Sequence, residues 1–266
     1  MQTFTIFLAV FCVSSAQSDL RSKEADPAYA QEAPTKITRN EERQIGIVLE
    51  SDPDWIGGRI EAGSLISTEI KSGLLVLLCI ILTALFVNSE TKNGYIKNIA
   101  GQFPNRGILI LSKLIVLAVC VCLMMLIFSA VTAAAGFLFW GRRFYMGSLA
   151  PLAAFLAVQY LLHLGFSAFI LFLSILTRSS AFTMVFGLLT SCGVLVPLYS
   201  FLNRIIRSVR PGTGFDISRY MLDGNINMTG INTALEGMIR TAFVGILFTL
   251  VCTALSMAVM TKRDIR

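Results

Sequence analysis

His163 is the single histidine of this 266-residue chain, and Gln159 stands one helical turn before it. In a helix the two share a face. A lone imidazole cannot build a metal site by itself. In an apolar helix it either bridges to a neighbouring helix by hydrogen bonding or lines a polar pathway. The six cysteines, Cys12, Cys79, Cys120, Cys122, Cys192 and Cys252, all lie inside apolar stretches. They read as small hydrophobic side chains rather than as a disulfide framework. Cys120-Val-Cys122 is not a usual zinc spacing. The chain has no Gly-x-x-x-x-Gly-Lys-Ser/Thr loop, no His-Glu-x-x-His and no Gly-x-Ser-x-Gly. No catalytic residue, metal or cofactor is therefore expected, and the chain does not read as an enzyme.

The elements that must position His163 are unusually apolar. Hydrophobic residues make up 55% of the chain and charged residues only 14%, against roughly 25% charged in soluble domains. The charges cluster in a few stretches. Ser72–Ser89, Leu114–Gly141, Phe144–Thr177, Ser179–Asn203 and Thr241–Thr261 contain none. A run of about 18 such residues is long enough to cross the hydrocarbon of a bilayer. The sequence predicts an all-α, polytopic transmembrane helical bundle of about six spans. Five of them lie near 72–88, 110–137, 149–176, 181–201 and 241–260, within a transmembrane domain over 72–266. Residues 1–18 form either a short first transmembrane helix or a signal-like segment. Residues 19–71 are polar and rich in acidic side chains. They read as a small extracellular region between spans one and two, with short helices over 41–50 and 59–71. Pro197 is expected to kink span five near its end. Gly187 with Ser191, and Ala130 with Ala134, have the small-xxx-small spacing that lets helices approach closely.

The net charge of +6 does not point to nucleic acid, because the basic residues are scattered through loops and ends. Anionic lipid headgroups are the more natural partners. Lys and Arg are more numerous in 19–71, 142–143 and 204–240 than in 88–113, Arg178 and the C-terminal tail. The positive-inside rule is weak for long loops, so charge alone leaves the orientation undecided.

The stretch after span two carries the most information. It reads Ser89-Glu90-Thr-Lys92-Asn-Gly94-Tyr95-Ile96-Lys97-Asn98-Ile99, then Pro104-Asn-Arg106, then Ser112-Lys113. Gly101 is placed to end a short helix and Pro104 to stop its continuation. A helix from Thr91 to Ala100 would be roughly 15 Å long. It would put Tyr95, Ile96 and Ile99 on one face. Glu90 either pairs with Lys113 or Arg178 or is a solvated loop acid. The helix itself either docks into a partner or only anchors the loop among headgroups.

This segment resembles the first cytoplasmic loop of ABC-2 type transporter permeases. In that family a span ends in Ser-Glu-x-x-x-Gly-Thr-Ile-Lys-Asn, and Ser-Lys heads the next helix; here Tyr95 stands at the Thr position. The basic tail and the six-span layout are also similar. The N-terminus differs, because the basic cytoplasmic helix that usually leads into span one is missing. The resemblance implies a permease subunit of a bacterial ABC transporter, working with an ATP-hydrolysing subunit and a second permease subunit in the cell membrane. Ser89, Glu90, Lys92, Gly94, Tyr95, Ile96, Lys97, Asn98 and Ile99 would then form the coupling helix that the ATPase grips. Residues 88–113 and the C-terminus would be cytoplasmic. Spans without charges suit a peptide, lipid or amphipathic compound better than a small ion, with export favoured. The competing expectation is a non-transporting immunity, sensory or assembly protein that binds a partner through residues 19–71.

Overall fold

The computed structural model describes residues 2–25, 52, 55–92, 107–209 and 216–262. These residues are almost entirely helical. Helix α1 spans Gln2–Ala25. A two-residue strand β1 (Ile60–Glu61) leads into α2 (Ala62–Lys71) and α3 (Leu74–Lys92). Helix α4 (Gly107–Trp140) ends in a 3-10 turn and strand β2 (Phe144–Tyr145). Then come α5 (Leu149–Thr177), α6 (Ser180–Ser191), α7 (Val196–Val209), α8 (Leu222–Met228) and α9 (Leu235–Lys262).

Four helices, α1, α4, α5 and α9, are each long and apolar enough to cross a membrane. The pairs α2–α3 and α6–α7 also qualify when taken together, but they are bent by 52° and 61°; counting each pair as one crossing gives six. Their outward faces carry large apolar side chains, such as Leu126 and Leu138 on α4 and Phe243 and Leu250 on α9, which are exposed. Water does not favour such surfaces, and hydrocarbon does.

The bends bear on two sequence expectations. The short helix expected over 59–71 forms as α2 over residues 62–71. Their apolar positions Leu65, Ile66 and Ile70 are fully buried, and α2 continues into α3 through Ser72 and Gly73, the latter at φ +86°. The apolar run over 181–201 is not one straight helix. It turns at residues 192–195, where Gly193 takes φ +73°, and Pro197 sits at the head of α7 with no N–H to satisfy. The two breaks face each other: a Cβ on Gly73 would stand 3.7 Å from Ser191 Oγ. The polar loop expected over 203–236 also contains structure, since α8 is buried along most of its length.

Close helix contacts hold the bundle together. Gly187 lies where α6 meets α3 and α5; a Cβ there would come within 2.8 Å of Ile80 and Ile170. The closest pair is α5 with α9, where Gly165 and Gly245 bring the two backbones together. Ala130 and Ala134, expected at a helix contact, instead face outward. The packed face of α4 carries Phe128, Ser129, Thr132, Ala135 and Gly136. One end of the bundle is tied by a small cap. Strands β1 and β2 pair in parallel, and Trp55 meets Trp140 edge-on at 6.2 Å. Arg143 donates to Glu24 Oε1 (2.8 Å), Trp55 O (3.0 Å) and Gly58 O (3.1 Å).

Candidate functional site

Helix α5 is free of charge over its 29 residues, so its polar side chains stand out. Gln159, His163, Ser167 and Ser174 follow at spacings of 4, 4 and 7, which puts them on one face. All four are buried, the first three completely. Elsewhere in the bundle Ser and Thr hydroxyls bond back to the carbonyl four residues earlier. Thr177, Thr183, Thr190, Thr249, Thr253 and Ser256 do so at 2.6–2.9 Å. That option exists at most interior helix positions. Ser174 on α5, Thr83 on α3 and Ser129 and Thr132 on α4 do not take it, and their hydroxyls have no hydrogen-bond partner among the described residues. Ser167 has only a weak neighbour, the Cys79 thiol of α3.

His163 and Gln159 form the upper part of this column. Gln159 Nε2 donates to Ile226 O (3.2 Å) and Thr229 O (3.4 Å), carbonyls at the end of α8 that the short helix leaves open. His163 Nδ1 lies 2.7 Å from Gln159 O. A carbonyl oxygen only accepts, so Nδ1 carries the proton. In the neutral ring Nε2 then holds a lone pair. That Nε2 and Gln159 Oε1 are buried acceptors without partners among the described residues. The expected polar pair is thus brought together inside the bundle. It does bridge helices, through Gln159, and its remaining acceptor atoms lie on the same α5 face as Ser167 and Ser174.

A polar cavity of about 250 Å³ lies against the segment that Gln159 holds. Its wall includes Ser64, Ser67, Thr68 and Lys71 from α2 with Asn232 and Thr233 from the turn after α8. Below the turn, Asn225 makes a fully satisfied knot. It donates to Arg219 O and Met221 O at 2.8 Å and accepts from Thr241 of α9 at 3.1 Å. One carboxylate of the polar 19–71 region is inside the bundle. Glu69 is 2% exposed on α2 and hydrogen-bonded to the Cys12 thiol of α1. The signal was present: Leu65, Ile66 and Ile70 make an apolar stripe around it.

Of the expected coupling segment, Ser89, Glu90 and Lys92 continue helix α3 rather than starting a new one, and Ser89 Oγ donates to Phe86 O at 2.9 Å. Gly94, Tyr95, Ile96, Lys97, Asn98 and Ile99 lie outside the described residues, as does the side chain of Glu90.

Compared with known proteins, residues 58–266 match the family described as Protein of unknown function (DUF2705). No curated protein and no solved structure matches the chain. The family match starts just before β1 and takes in every element after α1, so the chain belongs to the DUF2705 family.

Proposed function

We propose that the chain is the membrane-spanning permease subunit of a bacterial ABC transporter. ATP hydrolysis on a partner subunit would drive movement of a peptide, lipid or amphipathic compound, with export favoured. The observation that carries this reading is the buried polar column. Four or more partnerless hydroxyls and acceptors in an apolar bundle cost roughly 1–3 kcal/mol each. A purely structural bundle gains nothing by keeping them. A path for a substrate bearing N–H or O–H groups does. Discontinuous helices beside such a path are also what alternating access uses in other transporters. The resemblance of residues 89–113 to a coupling loop supplies the partner class. A second permease subunit follows from the same resemblance, as does the placement of 88–113 and the C-terminus in the cytoplasm.

The experiment is to look for an ATP-binding subunit encoded beside this chain, test its copurification with the chain, and then measure transport in vesicles. Gly94→Pro and Tyr95→Ala should each abolish association. If both leave association and transport intact, the coupling role is wrong. Cysteine labelling at Asn98 and Ala30 from outside the cell tests the orientation. Reactivity at Asn98 but not at Ala30 would reverse it. Absence of any associated ATPase, with a partner captured through residues 19–71 instead, would favour the immunity, sensory or assembly reading.

A further inference from the structure

Helix α7 differs from every other long helix of the bundle in presenting three faces rather than two. Tyr199, Asn203 and Ile206 turn toward the protein. Tyr199 donates to Asp223 Oδ1 (3.3 Å), Asn203 donates to Asp216 Oδ1 (2.8 Å), and Ile217 N donates back to Asn203 Oδ1 (2.9 Å). About 120° around the helix, Leu198, Phe201, Leu202 and Ile205 form an apolar stripe that is 37–59% exposed. The third face holds Ser200, Arg204, Arg207 and Ser208, all exposed. Helix α7 itself carries no acidic residue, and neither arginine has an ion-pair partner among the described residues.

A helix packed against protein on one side needs a second apolar face only if a nonpolar phase meets it there. It needs a third, cationic face only if water or headgroups meet that one. The two outer faces adjoin, so the boundary between the phases runs along the helix. The bend fits this placement. Inclined 61° to α6, α7 advances only about 0.7 Å per residue along the direction of α6 instead of 1.5 Å. It runs more along a membrane surface than through it.

We infer that α7 is an interfacial helix whose Arg204 and Arg207 bind the phosphates of anionic phospholipids while Leu198, Phe201, Leu202 and Ile205 sit among the acyl chains. Guanidinium groups suit phosphate oxygens in shape as well as charge. Basic residues on an amphipathic helix draw anionic lipid by roughly fivefold per charge. The inference rests on the reading of the bundle as membrane-embedded and is independent of the ATPase partner.

The test uses Phe201→Trp protein reconstituted in phosphatidylcholine vesicles. Brominated phosphatidylcholine or brominated phosphatidylglycerol is added at equal mole fraction. The quenching of Trp55 and Trp140 is subtracted with the unsubstituted protein. Both brominated lipids should quench Trp at 201, and the phosphatidylglycerol several-fold more strongly. Arg204→Gln with Arg207→Gln should remove that difference, and Arg204→Lys with Arg207→Lys should keep most of it. Equal quenching by the two lipids in the parent, or a difference that survives the double glutamine variant, overturns the anionic-lipid site. Absence of quenching by either lipid overturns it too, since a second copy or another protein covering the stripe gives that result. Failure of the protein to float with the vesicles overturns the membrane reading itself.

Discussion

Gly245→Ala is predicted to be among the most damaging single-carbon additions in the chain. The new Cβ would lie 2.8 Å from the backbone C and O of Leu161 and 3.1 Å from the N of Leu162. Carbon atoms pack at 3.5–4.0 Å, so α5 and α9 would have to separate by about 0.7 Å or more. The atoms met are main chain, and no rotamer change relieves them. Gly165→Ala strikes the same contact from the other side, at 2.9 Å from Gly245 O and 3.5 Å from Gly245 Cα. Overpacking of this sort costs about 1–3 kcal/mol, and here it strains the most extensive helix pair in the bundle. The assay is thermal unfolding of the detergent-solubilised protein, with Leu250→Ala on the exposed face of α9 as control. Each glycine variant should melt clearly below the control. The double variant should fall short of the sum, because helices already parted by one methyl make room for the second. A melting point for Gly245→Ala within error of the control, or strict additivity of the pair, would show that the two backbones do not touch.

Three further substitutions test the polar interior and the cap. Thr83→Val removes a hydroxyl that has no partner and keeps the side-chain shape, so unfolding should shift up by as much as about 1 kcal/mol, with transport impaired. A fall in stability would mean the hydroxyl is satisfied. Gln159→Leu strips the carbonyls of Ile226 and Thr229 of a donor and should cost about 1–3 kcal/mol in the same melting assay. Equal stability would refute the tie between α5 and α8. Arg143→Lys should loosen the cap nearly as much as Arg143→Ala, because one ammonium cannot reach Glu24, Trp55 O and Gly58 O together. Proteolysis within residues 55–61 measures it, and full protection in the Lys variant would contradict the geometry.

Much of the bundle could be read directly from charge-free length. Helix α5 begins at Leu149 and ends at Thr177 because the sequence brackets it with the Arg142–Arg143 turn and Arg178, which caps it at φ +55°. Direction was harder to read. Composition does not record a bend, so the run over 181–201 looked like one span until Gly193 turned it. Helix α2 was legible as a short helix but not as an interior one. Ser64, Ser67, Thr68, Glu69 and Lys71 raise its polarity, and only the burial of Glu69 beside Cys12 shows that it belongs to the interior. The outward placement of Ala130 and Ala134 has a related cause. Helix α4 is apolar all round, and in such a helix the sequence carries little information on which face is packed. Gln159 and His163 could be picked out as rare polar residues in an apolar span. Their companions Ser174 and Thr83 could not, since nothing in a serine or threonine codon says whether its hydroxyl will turn back to its own helix.

The facing breaks at Gly73 and Ser191 have a mechanical consequence. Helix α2 is a ten-residue lever hinged at one end, about 15 Å long. A swing of some 10° about the hinge would carry its far turn roughly 2.6 Å, by simple trigonometry on that length. Ser64, on that far turn, forms part of the cavity wall and accepts from Trp55 Nε1 of the cap at 3.0 Å, while Gln159 ties the opposite wall, the turn after α8, to α5. A displacement of that size is about the width of a water molecule, and because β1 runs straight into α2 and pairs with β2, the cavity changes width only as far as the cap moves with the helix.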